Sequence, residues 1–149
     1  MNSICVFGVF VADLCFFGET IPVKGQTVLG KNHIVGPGGK GSNQAIAAAR
    51  LKGAVHFITK IGQDSHADMA LKLYKKAQIN INSIIQDKNL STGVAGIMID
   101  EKGNNAINVV AGAAAHLNNE DIDQNINTIK NSKIFLTQLE TQELSLIHI

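Results

Sequence analysis

The chain has 149 residues, of which 45% are hydrophobic and 17% charged, a composition typical of an α/β unit with one buried core. A formal net charge of +1 at pH 7 provides no basic surface for nucleic acid, and no apolar run is long enough to span a membrane. Cys5 and Cys15 lack the spacing of metal ligands, so we expect reduced thiols in a cytoplasmic protein with neither nucleic acid nor membrane as a partner.

Hydrophobic periodicity predicts strands that alternate with helices along most of the chain. Short β-branched runs are typical of buried strands, and apolar residues three or four positions apart are typical of helices. This alternation favours an α/β fold with a Rossmann-like, mostly parallel sheet flanked by helices. The predicted elements are, in chain order, strands at 4–9, 14–17 and 27–35, a helix at 41–52, a strand at 55–61, a helix after Asp64, strands at 92–100 and 106–111, a helix after Asn118 and a strand at 134–139.

Two of the predicted helices begin at capping side chains. Asp64 or Ser65 can cap the second helix, and Asn118 with Asp121 is typical of the start of the third. Each helix then carries an apolar stripe at helical spacing, which predicts the buried face. The stripe residues are Met69, Ala70, Leu73, Tyr74 and Ala77 in the second helix, and Ile122, Ile126 and Ile129 in the third.

The most informative local feature is a glycine-dense turn at residues 36–45, GPGGKGSNQA, that runs directly into the first predicted helix. Glycines let backbone N–H groups face a ligand, and the start of a helix adds the positive end of its dipole. Such a turn suits hydroxyl groups or an anion. The spacing fits neither a P-loop, because Lys40 is not followed by a hydroxyl residue, nor the fingerprint of dinucleotide sites.

The decapeptide resembles the first signature of the ribokinase-like carbohydrate kinases of the phosphofructokinase-B type, in which GGKGxNxA belongs to the sugar pocket. The resemblance is to the N-terminal half of such kinases, and to ribokinases more than to other members. It extends from Ile4 to about Thr141. Further motifs occur in the family's order: Gly8 with Ala12-Asp13, Gly62-Gln63-Asp64, Ser91-Thr92-Gly93, Ala111-Gly112-Ala113 and Gln138-Leu139-Glu140.

The resemblance implies a function for the complete protein. It implies phosphorylation of a pentose, ribose or a related sugar, with ATP and Mg²⁺ as cofactors and a monovalent cation such as K⁺ as a further candidate. It also implies that segments at about 14–35 and 92–110, which do not fit the helix–strand alternation, form a small β-lid over the sugar that pairs two subunits in a homodimer. A nucleoside kinase of the same superfamily and a non-catalytic sugar-sensing module on the same fold are the alternatives.

The resemblance also places six residues of this chain in the sugar pocket. They are Asp13, Gly39, Lys40, Gly41, Asn43 and Glu140. Carboxylates and amides suit the task of holding sugar hydroxyls, while the glycines allow close backbone approach. Structural roles alone remain open for several of them: a turn for Asp13, the first helical turn for Asn43 and an exposed strand end for Glu140.

The chain departs from the ribokinase pattern at Val11, where that pattern has an asparagine that contacts the sugar. Valine neither donates nor accepts a hydrogen bond, so Val11 is a candidate specificity residue and the pocket is expected to be less polar on its side. The familiar Gly-Ala-Asn becomes Gly112-Ala113-Ala114. Both differences leave the exact sugar open.

The resemblance covers only about half of a kinase of this type. It implies that the catalytic base and the ATP site belong to a second half, so that no catalytic residue and no metal ligand are expected here and this chain alone should be inactive. We expect residues 1–143 to be the N-terminal part of the kinase domain. Residues 144–149 resemble a translated sequencing adapter and are expected to be a non-native tail.

Overall fold

A computed structural model of the protein describes residues 3–141 together with residues 146, 147 and 149. The predicted tail at 144–149 falls partly on residues outside this set, so the tail and the domain boundary before it stay predictions. None of the helices among the described residues combines the length and the apolar character needed to cross a membrane. The elements are strands β1 (Ser3–Phe7), β2 (Val11–Gly18), β3 (Gly30–Gly38), β4 (Ala54–Ile61), β5 (Ile84–Gln86), β6 (Thr92–Ile99), β7 (Asn105–Gly112) and β8 (Ile134–Thr137), helices α1 (Lys40–Arg50), α2 (Ser65–Lys76) and α3 (Asn119–Asn131), and a short 3-10 helix (Ala113–His116).

The first sheet is parallel and is covered by helices on both faces. Its strand order is β5-β4-β1-β8, and every neighbouring pair is parallel. Helices α1 and α2 pack on one face, where Val6, Phe57 and Tyr74 belong to one buried cluster. Helix α3 packs on the other face, in a cluster that includes Phe7 and Ile122. The predicted α/β fold is thereby confirmed.

The second sheet is smaller and has strand order β3-β2-β6-β7. Its central strands β2 and β6 are parallel, whereas the edge strands β3 and β7 pair with them antiparallel. Most residues of the two edge strands are exposed. The segments 14–35 and 92–110 contribute to this sheet, as expected for the small β-lid of the predicted fold.

Strand β2 begins earlier than the sequence predicts. The backbone of Asp13 lies between two partners, Gly36 of β3 and Ala95 of β6. The interpretation of Asp13 as a turn residue is therefore wrong. The physical reason is that pairing on both sides extends the strand back to Val11, which local sequence preferences do not reveal.

The predicted caps and apolar stripes are confirmed. Asp64 caps α2 by accepting a hydrogen bond of 2.9 Å from the Ala67 N–H. Asn118 and Asp121 form a capping box at the start of α3. The second-helix stripe packs into the cluster of Tyr74, and Ile122 and Ile129 of the third are buried.

A buried ion pair, which nothing in the sequence pattern indicates, joins β4 to α3. Lys60 and Asp121 are 7% and 6% exposed, and their Nζ and Oδ2 atoms lie 2.7 Å apart. The Lys60 ammonium also donates to the His116 carbonyl at 3.0 Å, and the Asp121 carboxylate accepts from the Asn118 N–H at 2.9 Å. The pair thus ties the 3-10 helix that follows β7 to the parallel sheet.

We predict that Asp121→Ala lowers the free energy of unfolding by about 3 to 5 kcal/mol, because it leaves the buried Lys60 charge without its partner. Urea denaturation followed by circular dichroism measures this. The control is Lys31→Met, which breaks an ion pair with Glu101 that is exposed to solvent and should therefore cost much less. An Asp121→Ala loss no larger than that of the control would contradict the prediction.

Candidate functional site

A cavity of about 570 Å³ lies between one face of the second sheet and the N-terminus of α1. Its walls come from segments far apart in the chain: β2, the start of α1, the β6–β7 hairpin and the segment after β8. The lining residues are Val9, Val11, Asp13, Gly39, Lys40, Asn43, Ala95, Ile97, Ile107, Val109, Ala111 and Glu140.

The cavity has a polar part and an apolar wall. The polar side chains are Asp13 from β2, Lys40 and Asn43 from α1, and Glu140 from the segment after β8. The β6–β7 hairpin contributes only apolar side chains. A cavity of this kind can hold a small molecule with hydroxyl groups on one side and C–H groups on the other.

Five of the six residues predicted for the pocket lie in this lining, and Gly41 is the exception. Gly41 is buried behind the cavity, where a Cβ would lie 2.8 Å from the Gly8 carbonyl carbon and from the Val9 nitrogen. A side chain at Gly41 would therefore push α1 away from the link between β1 and β2. The binding roles of all six residues remain predictions.

The turn before α1 requires glycine at Gly39. Its φ is +89°, a left-handed conformation that side chains disfavour, and a Cβ there would lie 2.6 Å from the Val9 carbonyl oxygen. The next residue, Lys40, begins the helix, so the turn directs the start of α1 toward the cavity. Asn43 lies in the first turn of this helix and also lines the cavity. Its position in the first turn and a ligand-binding role are compatible.

Asp13 occupies a partly desolvated place in the cavity wall. Burial raises the pKa of its carboxyl group above the ordinary value. The absence of a side chain at Gly38, on the neighbouring strand, makes room for the carboxylate, because a Cβ there would overlap it. A carboxylate held where water is reduced makes strong hydrogen bonds to a ligand that replaces that water.

Lys40 and Glu140 form an ion pair across the polar part of the cavity. The lysine side chain is largely exposed, whereas the glutamate is 31% exposed. Glu140 is not a strand end, because β8 stops at Thr137 and Leu139 adopts a positive φ of 59° that turns the chain. The interpretation of Glu140 as an exposed strand terminus is therefore wrong.

Gln138 connects the segment after β8 to α1. Its Nε2 donates to Gln44 Oε1 at 2.7 Å, and its own Oε1 lies against the backbone of Gly8. This contact holds the chain two residues before Glu140 close to the helix that carries Lys40. The Gln-Leu-Glu motif predicts a binding role only for Glu140, but its glutamine, Gln138, makes the contact with α1.

Val11 lies on the same face of β2 as Asp13 and is 7% exposed. Its Cγ1 packs over Gly93, where a Cβ would come within 2.9 Å of it. The valine side chain thus continues the apolar wall up to the carboxylate of Asp13.

The apolar wall itself was missed by the site prediction from sequence. It consists of alternate residues of two strands, Ala95 and Ile97 in β6 and Ile107, Val109 and Ala111 in β7. The two-residue alternation of a strand marks these sets as sharing a face, but it does not reveal which face turns to the cavity. Among the described residues, no group of three or more His, Cys, Asp or Glu side chains is placed to hold a metal ion.

Comparison with known proteins identifies relatives that match nearly the full length of this chain. The model of the pfkB family of carbohydrate kinases matches residues 1–142. Ribokinase of Mus musculus is 33% identical over 138 residues, 93% of this chain and 43% of that protein. Deoxyribokinase of Salmonella typhi is 34% identical over 146 residues, 98% of this chain and 48% of that protein.

The structural comparison agrees. The structure of Arabidopsis thaliana ribokinase complexed with ribose and ATP matches with a TM-score of 0.84 at 28% identity, over 95% of this chain and 46% of that one. The resemblance drawn from the sequence motifs is confirmed. The chain spans about half the length of the curated relatives it matches.

We predict that Asp13→Asn stabilises the protein at neutral pH. Burial raises the folded-state pKa of Asp13, so its ionised form opposes folding above that pKa and its protonated form does not. The gain from Asp13→Asn should shrink as the pH falls through the raised pKa and vanish below about 3.5, where the carboxyl is protonated in both states. Urea denaturation at neutral pH and below about pH 3.5 measures the difference in the free energy of unfolding. The control is Asp68→Asn, which changes an exposed carboxylate. An equal effect of Asp13→Asn at both pH values would contradict the prediction.

Proposed function

Because the chain belongs to the pfkB family of carbohydrate kinases, we propose that the whole protein transfers the γ-phosphoryl group of ATP to a pentose, ribose or a related sugar. The observation that carries this proposal is the cavity, whose polar groups from β2, α1 and the segment after β8 face an apolar wall from the β6–β7 hairpin. In this proposal the chain forms the sugar-binding part of the enzyme.

The cavity suits a sugar for chemical reasons. In our proposal the Asp13 carboxylate accepts hydrogen bonds from sugar hydroxyls, and the Asn43 amide both donates and accepts them. Lys40 and Glu140, already paired with each other, offer a further donor and acceptor at the same side. The C–H face of the ring packs on Ile97 and its neighbours. Such fixation supports phosphoryl transfer, because positioning and charge stabilisation account for most of its catalysis.

The cofactors are also proposals. ATP is included because the related Arabidopsis ribokinase was solved in complex with ribose and ATP. ATP would supply the transferred phosphoryl group. The described residues contain no cluster suited to a metal ion, so we assign none of them to Mg²⁺ or K⁺.

We further propose that the whole protein is a cytoplasmic homodimer that pairs through the second sheet. The support is the apolar character of its edge strands, where Val35 and Val110 are 47% and 59% exposed. Exposed apolar strands of this kind are typical of surfaces that pair with another chain.

The test of the function is a kinase assay on the purified full-length protein. ADP release is measured with ATP and a panel of ribose, 2-deoxyribose, other pentoses, hexoses and nucleosides. We expect the highest kcat/KM for a pentose. A higher value for a nucleoside would replace the proposal with nucleoside kinase activity, and phosphorylation of no compound would overturn it.

We predict that Asp13→Ala in the full-length protein raises the sugar KM at least about tenfold, because each lost charge-assisted hydrogen bond is worth roughly 1.5 to 3 kcal/mol. The KM for ATP should stay within about twofold of the wild-type value, since Asp13 faces the sugar side. Steady-state kinetics with each substrate varied in turn measure both constants. Asp68→Ala, which removes an exposed carboxylate from α2, is the matched control. An unchanged sugar KM and kcat would exclude a binding role for Asp13.

We predict that Val11 favours a sugar lacking a hydroxyl on its side, such as 2-deoxyribose. A hydroxyl placed against valine loses its water partners without a replacement, at a cost of roughly 1 to 3 kcal/mol. Val11→Asn should therefore shift the kcat/KM ratio of ribose to 2-deoxyribose about tenfold toward ribose. The control is Val94→Asn, because Val94 lies one residue from Ala95 on β6 and so faces away from the cavity. An equal ratio in wild type and Val11→Asn would show that Val11 does not contact the sugar.

A further inference from the structure

Two motifs that lie far apart in the sequence meet at the base of the β6–β7 hairpin. Gly62-Gln63-Asp64 follows β4 of the parallel sheet, and Thr92 begins β6 of the second sheet. The Thr92 hydroxyl oxygen accepts a hydrogen bond of 3.0 Å from the Gly62 N–H. The Thr92 N–H donates in return to Asp64 Oδ2 at 2.8 Å. We call these contacts of Gly62, Asp64 and Thr92 the hairpin clamp.

The groups of the hairpin clamp are hydrogen-bonded and closely packed. Thr92 is 2% exposed, and the other Asp64 oxygen accepts from Ala67 at the start of α2. Partial burial alone would raise the pKa of Asp64, but the hydrogen bonds from Thr92 and Ala67 outweigh it and hold the pKa below its ordinary value. A side chain at Gly62 would overlap the backbone beside Thr92, so the two segments approach to backbone distance.

The return strand is held at the same place. The Ala113 N–H, directly after β7, donates to the Ser91 carbonyl at 2.8 Å. Gly112 has a φ of +57°, and a Cβ there would overlap the Ser91 carbonyl oxygen. The two ends of the hairpin are therefore held together at its base.

We infer that Thr92 and Asp64 are positioning residues for the sugar site, because they fix the base of the hairpin whose side chains form the apolar wall of the cavity. The inference rests on the proposed function. Ala95 follows Thr92 by three residues, and Ala111 precedes the return contact at Ala113 by two. A small shift at the base moves the wall against the polar groups on α1, and misplacement of about 1 Å can cost a large part of an enzyme's rate.

The test compares Thr92→Val with Thr92→Ser in the full-length protein. Valine has nearly the shape of threonine but cannot accept from Gly62, whereas serine keeps the hydroxyl. We expect Thr92→Val to raise the sugar KM about five- to tenfold, with the ATP KM within about twofold of wild type. We expect Thr92→Ser to keep the sugar KM within about twofold of the wild-type value.

Asp64→Asn provides a second variant should Thr92→Val fail to fold. Its amide oxygen can still cap α2, but the amide NH₂ would face the Thr92 N–H, so the clamp loses its acceptor while the helix cap is kept. We expect the same rise in the sugar KM.

The control is Asp100→Asn in the turn at the far end of the same hairpin, where Asp100 accepts from the Lys102 and Asn104 N–H groups. We expect its sugar KM to stay within about twofold of wild type. An equal rise in Asp100→Asn, or an unchanged sugar KM in both clamp variants of an active protein, would overturn the inference alone. A wild-type protein that phosphorylates no sugar would overturn the proposed function and the inference with it.

Discussion

The arrangement of the molecule depends on a backbone-to-backbone contact between the start of α1 and the short link from β1 to β2. Gly39 and Gly41 face this link, and side chains at either position would collide with the backbone at Gly8 or Val9. Because the link passes from one sheet to the other, its contact with α1 fixes the second sheet relative to the first. The same contact sets Asp13, a few residues along the chain, opposite the first turn of α1.

That placement explains how the polar groups of the cavity come together although they are distant in sequence. Desolvation at this position disfavours the charged form of Asp13, as its raised pKa indicates. Carboxylates that are destabilised by burial are typical of binding sites. Lys40 and Glu140 carry opposite charges, and their ion pair leaves the polar part of the cavity nearly neutral apart from Asp13. Neutral hydroxyl groups fit this balance better than a strongly charged ligand.

The order of elements could be predicted from the sequence because local signals specify it. The helix caps at Asp64 and Asn118 and the apolar stripes are set by neighbours a few residues away. Features that depend on distant partners could not be predicted in this way. The three-residue strand β5 has too little local pattern, and Asp13 appeared to follow a strand because its pairing partners in β3 and β6 are supplied by other parts of the chain. The family motifs indicated five of the cavity residues, whereas the apolar wall depends on the orientation of the hairpin, which local pattern does not determine.

The β6–β7 hairpin is fixed at its base by two interactions of different kinds. On the entry side, neutral and charge-assisted hydrogen bonds join Thr92 to Gly62 and Asp64. On the exit side, the buried Lys60 ammonium binds the carbonyl of His116 and is balanced by Asp121. Lys60 and Gly62 are separated by one residue at the end of β4, so a single strand of the parallel sheet holds both ends of the hairpin. The parallel sheet therefore anchors the base of the apolar wall, while the tip of the hairpin is held within the second sheet by the pairing of β6 with β2 and by the Lys31–Glu101 ion pair.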